Sequence, residues 1–504
     1  MKILRTTQLR ETDNYTIQNE PIASIDLMER AANQLFEWIR DHIQDEASFR
    51  VIAGPGNNGG DGLALARLLN ESGYELDVWL VNLADSLSEN CQRNLDRLKE
   101  ETSVEVNSLT DKDILPEIME STIIIDALFG SGLSRPLEGF AVEIVDYINH
   151  AKNTVFSIDM PSGLMGEDNS DNDAGAIVKA DITLTLELPK LAFFFSDNAD
   201  YVGDWHIIPI GLHQGFIDEM DSDYNYVTRD VVQPRLMIRS KFDHKGRFGH
   251  AFLVAGSYGK IGAAVLAAKA CLRGGVGLLT VHIPRLGYEI VQTAIPEAMT
   301  SIDKYDKVIS KIPSLELFSA VGVGPGIGRS RHAVIAMNEL LGKTTIPLVI
   351  DADAINIMSE NREMLDLIPP DSILTPHPKE FERLVGPSEN QFERLRKQIE
   401  FAKERRVVVV LKGAHTSVVD QHGFVYFNST GNPGMAKGGC GDILTGLILA
   451  LHAQGYSALD ASILSVYLHG LSADLAITEN SVESLLSTDI INYLGKAFDE
   501  LKKM

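Results

Sequence analysis

The sequence predicts a two-domain α/β chain whose strands run parallel and whose helices cover both faces of each sheet. Three observations predict it. At 504 residues the chain is too long for one ordinary core, and two domains are the natural division. Strand and helix patterns alternate along both halves, and the strands read as continuous apolar runs, as strands buried on both faces do. Between about 215 and 240 the pattern weakens to HQGFIDEMDSDYNYVTRDVVQPRLMIRSKF, so a boundary is expected near 220–230, with domains at 1–220 and 225–504.

The elements follow in order. SIDLMERAANQLFEWIRDHI (24–43) has apolar residues at helical spacing. FRVIAG (49–54) is a short buried strand, and DGLALARLLNESG a helix that ends at Gly73. ELDVWLVN, STIIIDALFG, NTVFSIDMPSG, ADITLTLELPK (180–190) and GDWHIIPIG (203–211) are further strands. Beyond the weak stretch, HAFLVAGS opens a second alternation and leads into the alanine-rich helix KIGAAVLAAKACLRGG. GLLTVHIP, SAVGVGPGIG, IPLVIDADAIN, SILTPHPKEF and RVVVVLKGAHTSVV supply strands, and the closing segments from DILTGLILALHAQG onward are helical. In parallel sheets of this kind ligands bind beyond the carboxyl ends of the strands.

Composition narrows the function. Hydrophobic residues make up 44% and charged residues 23%, the balance of a globular protein, and no apolar run is long enough to span a bilayer. The start, MKILRTTQLRETDNY, lacks the apolar region of a secretory signal. Cys91, Cys271 and Cys440 stand far apart, which excludes a disulfide framework or a cysteine zinc site and fits a reducing cytoplasm. A net charge of −25 repels nucleic acid and anionic lipid. Any bound phosphate must therefore be held locally, by backbone N–H groups, a few cations or a metal ion.

AGPGNNGGDGLALARLL (53–69) follows a strand and opens a helix. Gly54, Gly56, Gly59, Gly60 and Gly62 are expected to let backbone approach a ligand and to permit left-handed φ, and helix-start N–H groups suit phosphate. A tight structural turn is the competing reading. Asp126 ends IIIDALFG ahead of GSGLSRPLEG (130–139), while Asp159 and Ser162 lie in SIDMPSG, so these tips converge on one sheet edge. Capping or a loop hydrogen bond would explain either aspartate alone. Oxygens of Asn58, Asp126 and Ser162 suit a hard cation. GPGNNGGDG, DALFGSGLSRP and IDMPSG resemble the epimerase domain of the NAD(P)H-hydrate repair enzymes over about residues 5–212. The resemblance implies a Rossmann-like three-layer domain. It places Asn57, Asn58, Gly59, Gly60 and Asp61, with Gly130, Ser131, Gly132, Leu133, Ser134, Arg135 and Pro136, on the dinucleotide. It further implies K+ at Asn58, Asp126 and Ser162, and Asp159 facing the hydrated ring as a catalytic residue.

In the second half VGVGPGIG (321–328) is strand then loop, and TPHPKEFERL (375–384) sets His377 just ahead of a helix, with a helix cap as the competing reading. Lys412 leaves a buried strand and Gly413 follows it, an arrangement that reaches for an anion or a carboxylate. GNPGMAKGGCGDILTGLILAL (431–451) is the most specific stretch. A helix that opens on glycines offers unpaired N–H groups to a phosphate. Asp442, beside them, suits the acceptor of a hydroxyl proton in phosphoryl transfer, with an N-cap aspartate as the competing reading. Gly-Cys-Gly-Asp resembles the anion hole of ribokinase-like kinases, and residues from about 230 to 504 resemble the dehydratase domain of the same repair enzymes. That implies a ribokinase-like α/β/α sandwich, with Gly324, His377 and catalytic Asp442 on the hydrated dinucleotide. Lys412, Gly413, Ala414, His415, Thr416 and Gly441 would meet ADP or ATP, with Mg2+. Cys440 stands where that family usually has Thr or Ser, so a hydroxyl contact to phosphate worth about 1 kcal/mol is expected to be lost.

The implied activity is twofold: interconversion of the epimers of hydrated NADH or NADPH, and ADP- or ATP-dependent dehydration of one epimer. The rival reading is a small-molecule kinase of the vitamin-precursor type fused to a non-catalytic binding domain. Small-molecule ligands and a homo-oligomer are expected, with no nucleic acid and no membrane. No residue decides between ADP and ATP.

Overall fold

The computed structural model describes residues 1–44 and 46–503. The chain forms two compact units that change over at residues 222–223.

The first unit is built on a seven-stranded sheet whose pairings are all parallel. Its spatial order is 105–109, 75–81, 48–53, 122–127, 155–158, 182–186, 204–208. The chain begins at 48–53, moves outward through 75–81 to 105–109, and returns to 122–127 on the other side. That reversal opens a crevice at the strand ends, where Gly54 and Leu128 meet. Val51, Ile52, Ala53, Ile124 and Ile125 are buried, as the continuous apolar pattern requires.

The glycine-rich stretch is more regular than expected. Helix Asn57–Glu71 starts with Gly56 as N-cap, so NNGGD is its first turn. None of Gly54, Gly56, Gly59, Gly60 and Gly62 has positive φ. A Cβ on Gly59 would overlap the Gly54 carbonyl, one on Gly60 would lie 2.8 Å from Met28 Sδ, and one on Gly62 would lie 2.5 Å from Ala127 Cβ. These glycines let the helix press onto its sheet and neighbours, a packing need rather than a conformational one.

The second unit carries strands in the order 224–227, 425–428, 417–419, 408–411, 373–374, 348–350, 320–323, 250–254, 278–283, 299–302. Pairing is parallel from 408–411 through to 299–302. It turns antiparallel from 408–411 to 417–419 to 425–428, a departure from the expected all-parallel sheet. The connections 412–416 and 420–424 are too short for a crossover, and a hairpin is what they can make. Strand Tyr224–Val227 pairs parallel with Val425–Asn428 and lies in the stretch read as polar connection. Here too the order reverses beside the first strand, between 250–254 and 320–323. Helices Ile261–Arg273 and Cys440–Ala453 cross so closely that a Cβ on Gly446 would overlap the Ala267 carbonyl. Small residues on both helices permit that approach, which sets the start of the second helix against the strand tips. No described helix is long and apolar enough to cross a membrane.

Candidate functional sites

In the first unit a cavity of about 310 Å³ opens at the strand ends. Asn57, Asp61, Ser131 and Asp159 line it, together with Asp13 and Lys190, which no sequence pattern singled out. Asp159 follows strand Val155–Ile158 with φ at 64°, a left-handed conformation that costs a non-glycine residue energy and occurs at functional sites. Its carboxylate is fully engaged. One oxygen takes the Lys190 ammonium, the other accepts the Ser131 N–H at 2.9 Å, and the Leu186 N–H adds a longer bond at 3.4 Å. Burial alone would raise the Asp159 pKa, but Lys190 and Ser131 outweigh it and hold the group below its ordinary value. Asp61 is the reverse case: burial, reinforced by Asp159 and Asp13, pushes its pKa well up.

Behind the cavity wall lies a polar cluster. Asp126 accepts Ser157 Oγ and the Ser162 N–H at 2.8 Å, Ser162 Oγ at 2.6 Å and the Leu128 N–H at 3.2 Å. Burial nonetheless leaves its pKa above the ordinary value, with these donors only partly countering. Asn58 is buried nearby, and its Nδ2 has no hydrogen-bond partner among the described residues. Amide orientation is a choice made on hydrogen bonding, and turning Asn58 over brings its oxygen to that orphaned position. A buried carboxylate without a cationic side chain, next to such an amide and a hydroxyl, is a donor set that fits a hard monovalent cation.

The other expected contacts divide. Gly59 and Gly60 are packed beneath the helix start. Gly130 lies against Asn58 Oδ1 and Asp159 Oδ2, and the Gly132 carbonyl accepts from Arg10 at 3.1 Å. Leu133, Ser134, Arg135 and Pro136 follow in the same loop and do not line the cavity.

In the second unit two cavities, of about 860 and about 600 Å³, share a wall made of Ala352, Glu380, Gly439 and Asp442. The larger is lined by Lys412, Gly413, Ala414, Thr416, His377, Cys440 and Gly441. The smaller is lined by Gly259, Lys260, Gly326, Asp353 and Asn356. Helix Cys440–Ala453 starts from Gly439, whose φ of 97° makes it the N-cap. Asp442 is therefore not the cap, and it accepts no hydrogen bond from a described residue. The first-turn amides have no partner within the helix and face the site. Burial, together with the Asp351 charge, pushes Asp442 up to about 6, with Lys412 pulling the other way.

Asp351 and Asp353 organise this wall and were missed in the sequence, where IPLVIDADAIN reads only as a strand. Asp351 is buried, accepting Lys412 Nζ at 3.0 Å and Thr445 Oγ1 at 2.7 Å. Asp353 accepts Lys260 Nζ at 3.0 Å and the Gly328 N–H at 2.9 Å. Ala352 between them has φ of 47°. Two aspartates flanking a strained residue after a buried strand is the signal that could have found them.

His377 does both things open to it. Its Nδ1 accepts the Lys379 and Glu380 N–H groups at 3.2 and 3.3 Å and caps helix Pro378–Val385, while the ring lines the larger cavity. Burial first, then Lys412 and Arg383, lower its pKa against the pull of Glu380, which favours the form whose Nδ1 can accept. His415 does not line the cavity; it is half-buried and its Nδ1 meets the Asn428 carbonyl at 3.1 Å. Gly324 lines neither cavity. With φ of 135° and a Cβ position that would overlap the Asp351 carbonyl, it holds that strand end in place. Cys440 turns its thiol to Ser487 Oγ at 3.4 Å, away from the helix-start amides.

Comparison with known proteins follows this division. Residues 251–496 match a family model described as NAD(P)H-hydrate dehydratase, and residues 24–192 one described as YjeF-related protein N-terminus. Over its whole length the chain is 34% identical to the bifunctional NAD(P)H-hydrate repair enzyme of Thermofilum pendens, covering 97% of that protein. It is also 34% identical to the same-named enzyme of Coxiella burnetii, over 98% of each chain. Among solved structures, 55% of the chain overlays 98% of the ADP/ATP-dependent NAD(P)H-hydrate dehydratase of Bacillus subtilis co-crystallised with ATP/Mg2+, at 30% identity and a TM-score of 0.49.

Proposed function

Because the chain belongs to the family of bifunctional NAD(P)H-hydrate repair enzymes, we propose that its two sites carry the two halves of that repair. Residues 1–220 form the epimerase domain and 225–504 the dehydratase domain. The observation that carries the second assignment is the place of Asp442, unbonded by any described residue, with its pKa raised to about 6 and on the wall between two cavities.

Hydrated NADH or NADPH bears a hydroxyl on C6 of the reduced ring. Hydroxide leaves poorly, its conjugate acid having a pKa of about 15.7, whereas phosphate with a second pKa of about 6 leaves readily. Phosphorylating that hydroxyl and expelling phosphate restores the ring double bond. The larger cavity, with Lys412, Gly413, Ala414, Thr416 and Gly441, takes ADP or ATP; the smaller, on the far side of Asp442, takes the hydrated ring. Asp442 accepts the hydroxyl proton. The amides of Cys440 and Gly441 face the transferring phosphoryl group and stabilise its charge. Asp351 holds the Lys412 ammonium beside them. His377, whose Nε2 lies 3.5 Å from Glu380 Oε1, lines the same cavity. Mg2+ would arrive on the nucleotide's phosphates and neutralise part of their charge. That fits a wall with no group of three or more His, Cys, Asp or Glu side chains placed to hold a metal among the described residues.

In the first domain, Asp159 and Lys190 face the hydrated ring, and Asp159 anchors the Ser131 turn against it. K+ would be held by Asn58, Asp126 and Ser162 with the Phe129 carbonyl, which Ser162 Oγ contacts at 3.1 Å. Its charge would steady the helix start and the loop. We assign the protein to the cytoplasm and to a homo-oligomeric state on the same footing. Incubation with hydrated NADH and either ADP or ATP, followed by product analysis, tests the reading. Release of NADH and free phosphate, with AMP or ADP as the other product, is expected. A stable phosphorylated dinucleotide would instead select the kinase reading.

A further inference from the structure

The epimerase cavity holds a carboxyl for which the assignments above have no use. Helix Thr6–Asn19 presents Leu9, Arg10, Asp13, Asn14 and Ile17 to the cavity, a single face at three- and four-residue spacing. Asp13 stands on that face across from Asp159 and Lys190, and it accepts no hydrogen bond from any described residue. The contrast with Asp159 is the point. Both Asp159 oxygens are occupied, and the Lys190 ammonium is spent on Asp159, Thr185 Oγ1 at 2.8 Å and the Leu186 carbonyl at 3.2 Å. A carboxylate stabilised in that way is a poor proton acceptor, and an ammonium so committed has no proton to lend.

Resting on the epimerase reading of this domain, we propose that Asp13 is the residue that carries the proton in epimerisation, and that Asp159 positions Lys190 and the Ser131 turn. C6 of the hydrated ring bears both the hydroxyl and N1, so it is a carbinolamine. The Asp13 carboxylate takes the hydroxyl proton; the O–H pair becomes the second bond of a C6 carbonyl as the C6–N1 bond breaks. The released pair rests on N1, conjugated through the ring double bond into the carboxamide, and N1 takes the proton from Asp13. One proton has moved from oxygen to nitrogen, and Asp13 is a carboxylate again. Rotation about C5–C6 presents the other face of the carbonyl, and the same steps in reverse close the ring as the opposite epimer. No oxidant, reductant or second substrate is required.

The charges facing Asp13 suit the part. Asp61 and Asp159 come from the opposite wall, Lys190 and Glu187 from beyond strand Ile182–Leu186, and Arg10 from its own helix. Burial first, then the Asp159 charge, push the Asp13 carboxyl up to about 7, with Lys190 partly relieving it. A shuttle that takes and returns one proton near neutral pH works best at such a value.

The test uses the full chain and the pure epimer that the dehydratase rejects, with chiral separation of the two forms over time and no nucleotide added. Wild type must interconvert them, or the epimerase reading itself fails. Given that, Asp13→Asn is expected to slow interconversion at least about a hundredfold. Its dehydration of the accepted epimer should be unchanged, which shows that the protein is folded and active. Asp13→Glu should recover part of the rate with a shifted pH profile. Asp159→Asn should raise KM as well as lower the rate, since it loosens the Ser131 turn. Asp13→Asn at the wild-type rate, or loss in Asp13→Asn with no recovery and no profile shift in Asp13→Glu, would overturn the proposal.

Discussion

Asp442→Asn keeps the shape of the residue between the two cavities of the dehydratase domain and removes only its ability to accept a proton. General-base removal costs about a hundred- to ten-thousandfold in rate, or about 3–5 kcal/mol of barrier. The structure adds a second handle. The base must be ionised to work, and burial with the Asp351 charge raises its pKa to about 6, so activity should fall as pH drops through that value. At one unit below, about a tenth of the sites remain ionised, whereas an ordinary aspartate would lose less than about a tenth there. Lys412 pulls the Asp442 value down, so Lys412→Met should move the acid limb upward as well as weaken nucleotide binding. The assay is kcat/KM for the hydrated dinucleotide against pH, at saturating nucleotide, in wild type and the two variants. Asp442→Asn with wild-type turnover, or a wild-type limb unmoved in Lys412→Met, would refute the assignment.

Other consequences are simpler to check. Gly62→Ala places a Cβ 2.5 Å from Ala127 Cβ and 3.2 Å from Val51 Cγ1, so overpacking should cost about 1–3 kcal/mol, visible by denaturant unfolding of the epimerase domain. Cys440→Ser should change the KM for ADP or ATP by less than about twofold, because the thiol is turned to Ser487 rather than toward the helix-start amides; a net neutral hydrogen bond gained would show as about fivefold. KCl should raise the melting temperature of the protein above that in an equal concentration of tetramethylammonium chloride, and Asp126→Asn should abolish the difference.

The sequence was most legible where strands are buried on both faces. The FRVIAG and TIIID runs announce themselves, and the residues that follow them fall at the sheet edge where ligands bind. Asp159, Lys412 and Asp442 were readable for that reason. Strand Glu105–Leu109 was not, since an edge strand that is buried only at its last residue carries too little apolar signal. Helix Thr6–Asn19 was missed for a similar reason: only Leu9, Thr12 and Thr16 are buried, two of them polar, so no hydrophobic stripe marks it. Asp13 was hidden with it. The glycines of GPGNNGGDG were visible as a motif, but the cause of Gly54, Gly60 and Gly62 is a neighbour distant in sequence, Leu128, Met28 and Ala127 in turn. Asp351 escaped because its importance lies in partners 61 and 94 residues away, Lys412 and Thr445.

The most direct measurement follows the near-ultraviolet absorbance of reduced nicotinamide after the full chain is added to an equilibrium mixture of both hydrated epimers with ADP or ATP. Two working sites on one chain predict recovery of all the hydrate in catalysed phases, with free phosphate released in equal amount. Recovery that halts at the share of one epimer, with the rest returning only at the uncatalysed rate, would contradict the epimerase half of the account, and no recovery with either nucleotide would contradict the whole.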